Sequence, residues 1–336
     1  QQKLEAHDPA WNCLWLATRV WCLVEMKAVF TRLGVETTRQ YLESEVVERG
    51  QEIVDRLIAK GIAHESQGAI IVDLEDVKLG VFLVRKTDGT SLYATKDLAL
   101  AELKLKEYPA TQRSLLLVDN RQTLYFKQLF ETLRRMGVTP VPEFIGYEFV
   151  TLKNGAMSSR DGNIVTYQAF EAEVLIYAET EVRLRHADWQ PEKIHAVAWA
   201  LTLSGMKFGM LKQDNDKIFT FEMEQALSFE GATGPYCQYA VTRLAAILRK
   251  AEAPCPLEGV LSEVASGDST FRGSGGFGGC PVEEVAQKNL ALKIAQLPEK
   301  IALAAQELRP SVVAQWCLEM AQVVSAFYRD VPVLSA

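Results

Sequence analysis

The chain has 336 residues, enough for two domains of ordinary size, and its 48% hydrophobic and 24% charged content is typical of a soluble globular protein. A formal net charge of −7 argues against broad, nonspecific binding of polyanions. It leaves room for a local basic surface that binds one nucleic-acid partner. No apolar run approaches the ~20 residues that span a bilayer, so we predict no membrane association.

Cysteine and histidine usage predicts neither a zinc site nor a disulfide framework. Six cysteines occur without any C-x-x-C pair, and the chain has only four histidines. Reduced thiols are typical of a cytoplasmic protein. We therefore expect a cytoplasmic location and no tightly bound metal.

The first predicted elements are helices followed by a hairpin. Asp8 is a suitable N-cap and Pro9 a suitable first residue for a long helix that ends near Gly34. Its tryptophans recur at helical spacing, which predicts that they lie in the core. A second helix is predicted over Val46–Lys60, and alternating apolar residues over 69–85 predict a hairpin.

The next elements follow a strand–helix–strand order. Ser114–Val118 is apolar on both faces, which predicts a buried parallel strand, and a helix follows that ends at Gly137. Glu143–Val150 is the next strand candidate. This order predicts part of a doubly wound sheet, with a nucleotide at the strand ends near 119–122 and 150–163.

Beyond residue 166 we predict helices only, and residues 254–281 are rich in Gly, Ser and Pro, which predicts a flexible connection. The helical patterns cover 167–186, 191–213, 222–229, 234–252, 283–307 and 310–329. The predicted fold class is α/β: a partial Rossmann-like, doubly wound parallel sheet over residues 1–165, followed by an all-α helical bundle over residues 166–336.

The most informative motif is the segment 88–97. A turn at Asp88-Gly89 leads into a helix predicted over 95–107, which would place Tyr93 and Asp97 on the same side. An aromatic face beside a carboxylate suits a planar guanidinium. The alternative is a plain helix N-terminus whose acidic residue complements the helix dipole.

A second motif follows the last strand candidate. Ser158, Ser159 and Arg160 could wrap the phosphates of a nucleotide, with the arginine neutralising charge on the pyrophosphate. The alternative is a polar surface turn, since Asp161-Gly162 is a strong turn dipeptide.

Four ordered segments resemble the class I arginyl-tRNA synthetases, over nearly the whole chain apart from 254–281. They are Asp88–Ala99, Gln122–Phe130, Met157–Arg160 and Phe229–Ala240. The resemblance implies the second half of the catalytic domain over 1–165, and most of a helical anticodon-binding domain over 166–336.

The resemblance also implies roles for individual residues. The arginine substrate would be bound by Glu43, Tyr93, Asp97 and Gln122. Without the resemblance, Glu43 would more simply be an exposed acid at a helix start. The family's catalytic KMSKS-type loop, which closes on ATP, would be formed by Met157, Ser158, Ser159 and Arg160.

The tRNA would be held by a third set of residues, Tyr236, Gln238, Tyr239 and Arg243. On pattern alone, Tyr236 and Tyr239 fit equally well as half-buried core. The activity implied is adenylation of arginine by ATP with Mg²⁺, then transfer to tRNA(Arg). The implied partners are tRNA(Arg), arginine and ATP, and a monomer is expected.

The chain also departs from the family pattern. None of its four histidines forms a HIGH-type signature, and it begins at Gln1 without a leader sequence. We therefore expect this chain alone to be unable to form arginyl-adenylate. The alternative to a ligase is a catalytically silent relative of the family, which binds arginine or tRNA without activating arginine. Asp161 and Tyr125 stand where many relatives have Lys and His.

Overall fold

The computed structural model describes residues 2–148, 150–152, 166–250 and 281–331. Contacts divide the chain into two compact units. Unit 1 comprises Gln1–Phe149 with Asn215–Lys217, and unit 2 comprises Val150–Asp214 with Ile218–Ala336. The loop at Met157–Arg160, and all but the last residue of the predicted flexible connection, lie outside the described residues.

Unit 1 begins with a short helix α1 (Gln2–Glu5) and a long helix α2 (Pro9–Leu33). The Asp8 carboxylate accepts hydrogen bonds from the first backbone N–H groups of α2, and Gly34 ends it in the left-handed conformation, with φ 66°. These predicted ends are confirmed. The prediction that its tryptophans lie in the core is wrong, since no α2 residue is buried within the described chain. Its apolar residues surround the helix instead of forming one face.

A 3-10 helix (Glu43–Glu45) and α3 (Val47–Ala59) lead into an antiparallel sheet of three strands. Its strands are β1 (His64–Ser66), β2 (Ala69–Asp73) and β3 (Val81–Arg85). The next helix is α4 (Tyr93–Glu107). Helices α3 and α4 cross closely at Gly50, where a Cβ atom would lie 2.7 Å from the Thr95 carbonyl oxygen. Glycine is therefore needed at that crossing.

A β–α–β unit follows, as predicted. Strand β4 (Leu115–Asp119) pairs in parallel with β5 (Glu143–Tyr147), and α5 (Thr123–Arg135) connects them after a 3-10 turn at Asn120–Gln122. The prediction that β4 is buried on both faces is wrong, because Leu117 is 70% exposed. Among the described strands, β4 and β5 pair only with each other.

Unit 2 contains a small parallel pair and a set of helices. Strand β6 (Val150–Leu152) pairs with β7 (Phe219–Phe221), so the prediction that strands cease after residue 166 is wrong. Three residues are too few to show a strand periodicity. The helices are α6 (Tyr167–Arg185), α7 (Pro191–Leu211), α8 (Met223–Ala226), α9 (Gly234–Lys250), α10 (Pro281–Ala295), α11 (Leu297–Glu307) and α12 (Ser311–Asp330).

The helix predicted over 283–307 is two helices, since Pro298 lies in the first turn of α11 and removes a backbone donor. Helix α7 packs against α6 and α9. A Cβ atom on Gly234 would lie 2.3 Å from the Ser204 carbonyl oxygen, so α9 begins in direct contact with α7. Among the described helices, α7 alone has the length and hydropathy of a membrane span, a test that core helices also pass.

Candidate functional site

The site in unit 1 is built on the first turns of α4. The helix begins at Tyr93, two residues before the predicted start. Thr95 is fully buried; its hydroxyl accepts a hydrogen bond from the Leu92 N–H at 3.1 Å and donates one to the Val84 carbonyl oxygen. The start of α4 is therefore fixed to strand β3, which sets the direction of the residues that follow.

Asp97 is half-buried and lies about one turn after Tyr93 on α4. The Tyr125 hydroxyl of α5 donates a hydrogen bond of 2.5 Å to its Oδ2 atom. Burial raises the pKa of the Asp97 carboxyl, and the hydrogen bond from Tyr125 opposes that rise. An ionised carboxylate in this position is poorly solvated, so a cation that pairs with it would stabilise it.

Two lysines of α4 lie near carboxylates at this site, Lys104 near Asp97 and Lys96 near Glu43. Burial lowers the pKa of Lys104, which lies seven residues after Asp97 on the same side of the helix, and the charge of Asp97 opposes that fall. The Lys96 ammonium lies 2.6 Å from Glu43 Oε2 and 5.7 Å from the ring centroid of Tyr93. This corner thus holds a cation between a carboxylate and an aromatic face.

The four residues predicted to bind arginine are therefore not equally placed. Glu43 is close enough to Asp97 for its charge to raise the pKa of that carboxyl. Tyr93 is 71% exposed, and its ring lies beside the Lys96 ammonium that also pairs with Glu43. Gln122 is exposed at the residue before α5, three positions ahead of Tyr125.

Sequence reasoning missed Lys96 and Lys104, and it noted Tyr125 only as a departure from the family pattern, without a role in the site. Helical spacing from Asp97 could have found Lys104. No local signal could have found the bond from Tyr125 to Asp97, because it depends on how α4 packs against α5.

The carboxyl edge of the β4–β5 pair is where parallel strands place nucleotides. There the Asn120 side-chain amide donates a 2.9 Å hydrogen bond to Glu148 Oε1. A Cβ atom at Gly146 would lie 1.9 Å from Asn120 Oδ1, so a side chain at this position would displace the Asn120 amide. The predicted ATP loop, Met157 to Arg160, lies outside the described residues.

The four residues of α9 predicted to bind tRNA separate into two pairs. Gln238 bridges to α7, accepting a 2.8 Å hydrogen bond from the Ser204 hydroxyl and donating a 3.2 Å one to the Ala200 carbonyl oxygen. Tyr236 is half-buried, with its hydroxyl 3.5 Å from Ser325 Oγ of α12. Both side chains join helices of unit 2.

The second pair is more accessible. The Arg243 guanidinium lies over the rings of Tyr239 and Tyr328, 4.4 and 4.9 Å from their centroids. It also donates a 3.0 Å hydrogen bond to the Tyr239 hydroxyl. Tyr239 and Tyr328 are 43% and 41% exposed and Arg243 is half-buried, so this group of one cation and two aromatic rings is partly accessible.

In the described ranges, no three His, Cys, Asp or Glu residues are grouped as a metal site. The expectation of no tightly bound metal stays a prediction.

Two family models together cover most of the chain. Residues 1–223 match the family model of the catalytic domain of class I tRNA synthetases (R), and residues 237–336 match that of the DALR anticodon binding domain. The chain belongs to the arginyl-tRNA synthetase family. The predicted resemblance is thereby confirmed.

Individual relatives agree with this assignment. The chain is 32% identical to the arginine–tRNA ligase of Bdellovibrio bacteriovorus, a match that covers 98% of this chain and 54% of the relative. It is 31% identical to that of Streptococcus thermophilus, covering 99% and 56%. The chain thus spans about half the length of the curated relatives it matches.

Solved structures confirm the predicted fold class. The arginyl-tRNA synthetase of Plasmodium falciparum matches with a TM-score of 0.77 at 18% identity, over 99% of this chain and 54% of that one. The Thermus thermophilus enzyme matches with a TM-score of 0.72 at 24% identity, over 97% and 59%. At these identities the likeness shows the fold.

Proposed function

We propose that the full-length protein is an arginine–tRNA ligase, which activates arginine with ATP and transfers it to tRNA(Arg). The observation that carries this proposal is the half-buried Asp97 carboxylate, fixed by Tyr125 beside a corner that holds a cation between Glu43 and Tyr93. Family membership supplies the reaction.

The side chain of arginine would enter this corner as a second cation. Its planar guanidinium offers a fork of N–H donors that suits the Asp97 carboxylate, and its face can stack on Tyr93. It would compete with the Lys96 ammonium for Glu43. Gln122 would line the same pocket from the start of α5.

The chemistry would rest on positioning and charge stabilisation. A carboxylate oxygen of arginine attacks the α-phosphorus of ATP, and pyrophosphate leaves. The loop of Met157, Ser158, Ser159 and Arg160 would stabilise the departing pyrophosphate, and Mg²⁺ would accompany ATP. A hydroxyl of the terminal tRNA ribose then attacks the arginyl carbonyl and releases AMP.

The helical bundle would bind tRNA(Arg). The Arg243 guanidinium suits a phosphate, and Tyr239 suits stacking on an unpaired base. Tyr236 and Gln238 would support the helix that presents them. We propose the division at 165/166 between the catalytic and anticodon-binding domains, a cytoplasmic monomer, no membrane association, and no further cofactor.

The test is arginine binding by calorimetry, with lysine as the matched competitor, and arginine-dependent ATP–pyrophosphate exchange with tRNA(Arg) present, both on the full-length protein. We expect selective binding and exchange. Binding without exchange would instead identify a silent relative. Failure to bind arginine would contradict both the ligase and a silent relative that binds arginine.

A further inference from the structure

We propose that Tyr125 is a positioning residue for arginine specificity: its hydroxyl fixes the orientation of the Asp97 carboxylate that receives the guanidinium. This inference rests on the proposed function. It concerns a residue of α5 that does not itself need to touch the substrate.

The Tyr125 ring is held from two sides. Its centroid lies 5.7 Å from that of Phe82 on β3 and 5.0 Å from that of Phe126, both in edge-to-face geometry. Phe82 and Phe126 are themselves buried. The ring therefore has little freedom, and its hydroxyl meets Asp97 Oδ2 at 2.5 Å as a fixed donor.

A phenol is suited to this task because it donates a hydrogen bond without adding charge. A permanent cation in its place would pair directly with Asp97 and weaken the attraction for arginine. The bond to Oδ2 restricts rotation of the carboxylate, so its remaining lone pairs keep one direction. A guanidinium binds through two parallel N–H donors and so requires an acceptor plane of fixed orientation.

The same bond helps keep Asp97 ionised. Burial and the charge of Glu43 raise the pKa of Asp97, whereas the Tyr125 hydrogen bond and the charges of Lys104 and Lys96 lower it. Removing the hydroxyl would therefore raise the pKa of Asp97 further. Arginine binding requires the ionised form, so its loss on acidification would begin at a higher pH.

The test compares Tyr125→Phe with wild type in the full-length protein. Phenylalanine keeps the ring packing and removes only the donor. We expect the KM for arginine to rise about tenfold at neutral pH. We also expect the pH below which arginine binding weakens to increase by about one unit. The kcat at saturating arginine should change less, because Asp97 does not contact the reacting atoms. Tyr125→His, which retains an N–H donor when its imidazole is neutral, should recover part of the affinity at alkaline pH.

Tyr167→Phe is the matched control. It removes a hydroxyl that donates a 2.9 Å hydrogen bond to the buried Glu171 carboxylate in unit 2, and it should leave the arginine pH profile unchanged. A Tyr125→Phe profile that matches wild type would overturn the inference. So would a loss of affinity that is equal at every pH and is not recovered by Tyr125→His. If wild type itself fails to bind arginine, the proposed function fails first.

Discussion

The Asp97 cluster and the α9 surface were both predicted as binding sites, but they are built in opposite ways. At Asp97 a half-buried carboxylate accepts a hydrogen bond from a phenol, and burial raises its pKa above the ordinary value. On α9 the guanidinium of the half-buried Arg243 lies over the exposed rings of Tyr239 and Tyr328. The first site carries an electrostatic cost in the folded protein, and the second carries little.

This difference separates residues that are kept for binding from residues that are kept for folding. Burial of the ionised Asp97 carboxylate costs stability, so folding alone does not explain this residue, and we propose that arginine binding does. Where a motif residue joins two helices, as Gln238 does, packing is a sufficient reason for it. Substitutions at the two sites should therefore affect binding and stability differently.

The largest effect is expected at Asp97. Replacement by Asn removes the charge that pairs with the guanidinium and keeps an oxygen for the Tyr125 hydroxyl. Arginine affinity should fall about 100-fold, which corresponds to roughly 3 kcal/mol. Calorimetric titration with arginine measures this loss.

The thermal stability of Asp97→Asn should not fall together with its arginine affinity. Because the folded-state pKa of Asp97 is raised, stability is lost as the pH rises from the unfolded-state pKa through the folded-state pKa, and the ionised form carries the full cost above it. Asp97→Asn should therefore melt no lower than wild type at pH 7. Glu107→Gln is the control, since this exposed carboxylate of α4 also accepts a tyrosine hydrogen bond, from Tyr41 at 2.6 Å. Full arginine affinity in Asp97→Asn would refute the site.

The sequence predicts the features that depend on local spacing and not those that depend on packing between elements. Tyr93, Asp97 and the helix that carries them could be predicted, because four-residue spacing and capping chemistry are local. The Tyr125 bond and the Lys96–Glu43 pair could not, since they depend on how separate elements pack. The tryptophans of α2 were predicted as core because helical spacing reports a helix, but spacing alone does not show that a partner covers it.

A medium effect is expected at Gln238. Its replacement by Ala removes two hydrogen bonds between α9 and α7, so the free energy of unfolding should fall by about 1–2 kcal/mol. The affinity of the folded protein for tRNA(Arg) should remain close to wild type. Urea unfolding and a binding titration at low temperature measure the two quantities. Thr242→Ala, at an exposed position of α9, should change stability by less than about 0.5 kcal/mol. A large loss of tRNA affinity without a loss of stability would show that Gln238 contacts the nucleic acid.

The smallest effect is expected at Arg243 and is best seen in its salt dependence. If its guanidinium pairs with one phosphate, Arg243→Gln should lower the slope of log affinity for tRNA(Arg) against log salt by about one, with little change in stability. Arg249→Gln is the matched control, because it removes the same charge from an exposed position of the same helix. A direct phosphate contact releases a counterion, whereas a distant charge acts only through the screened field and should change the slope less. Equal slopes for the two variants would mean that the stack of Arg243 with Tyr239 and Tyr328 serves to join α9 to α12. In that case Arg243, like Gln238, would serve to hold the helices of unit 2 together.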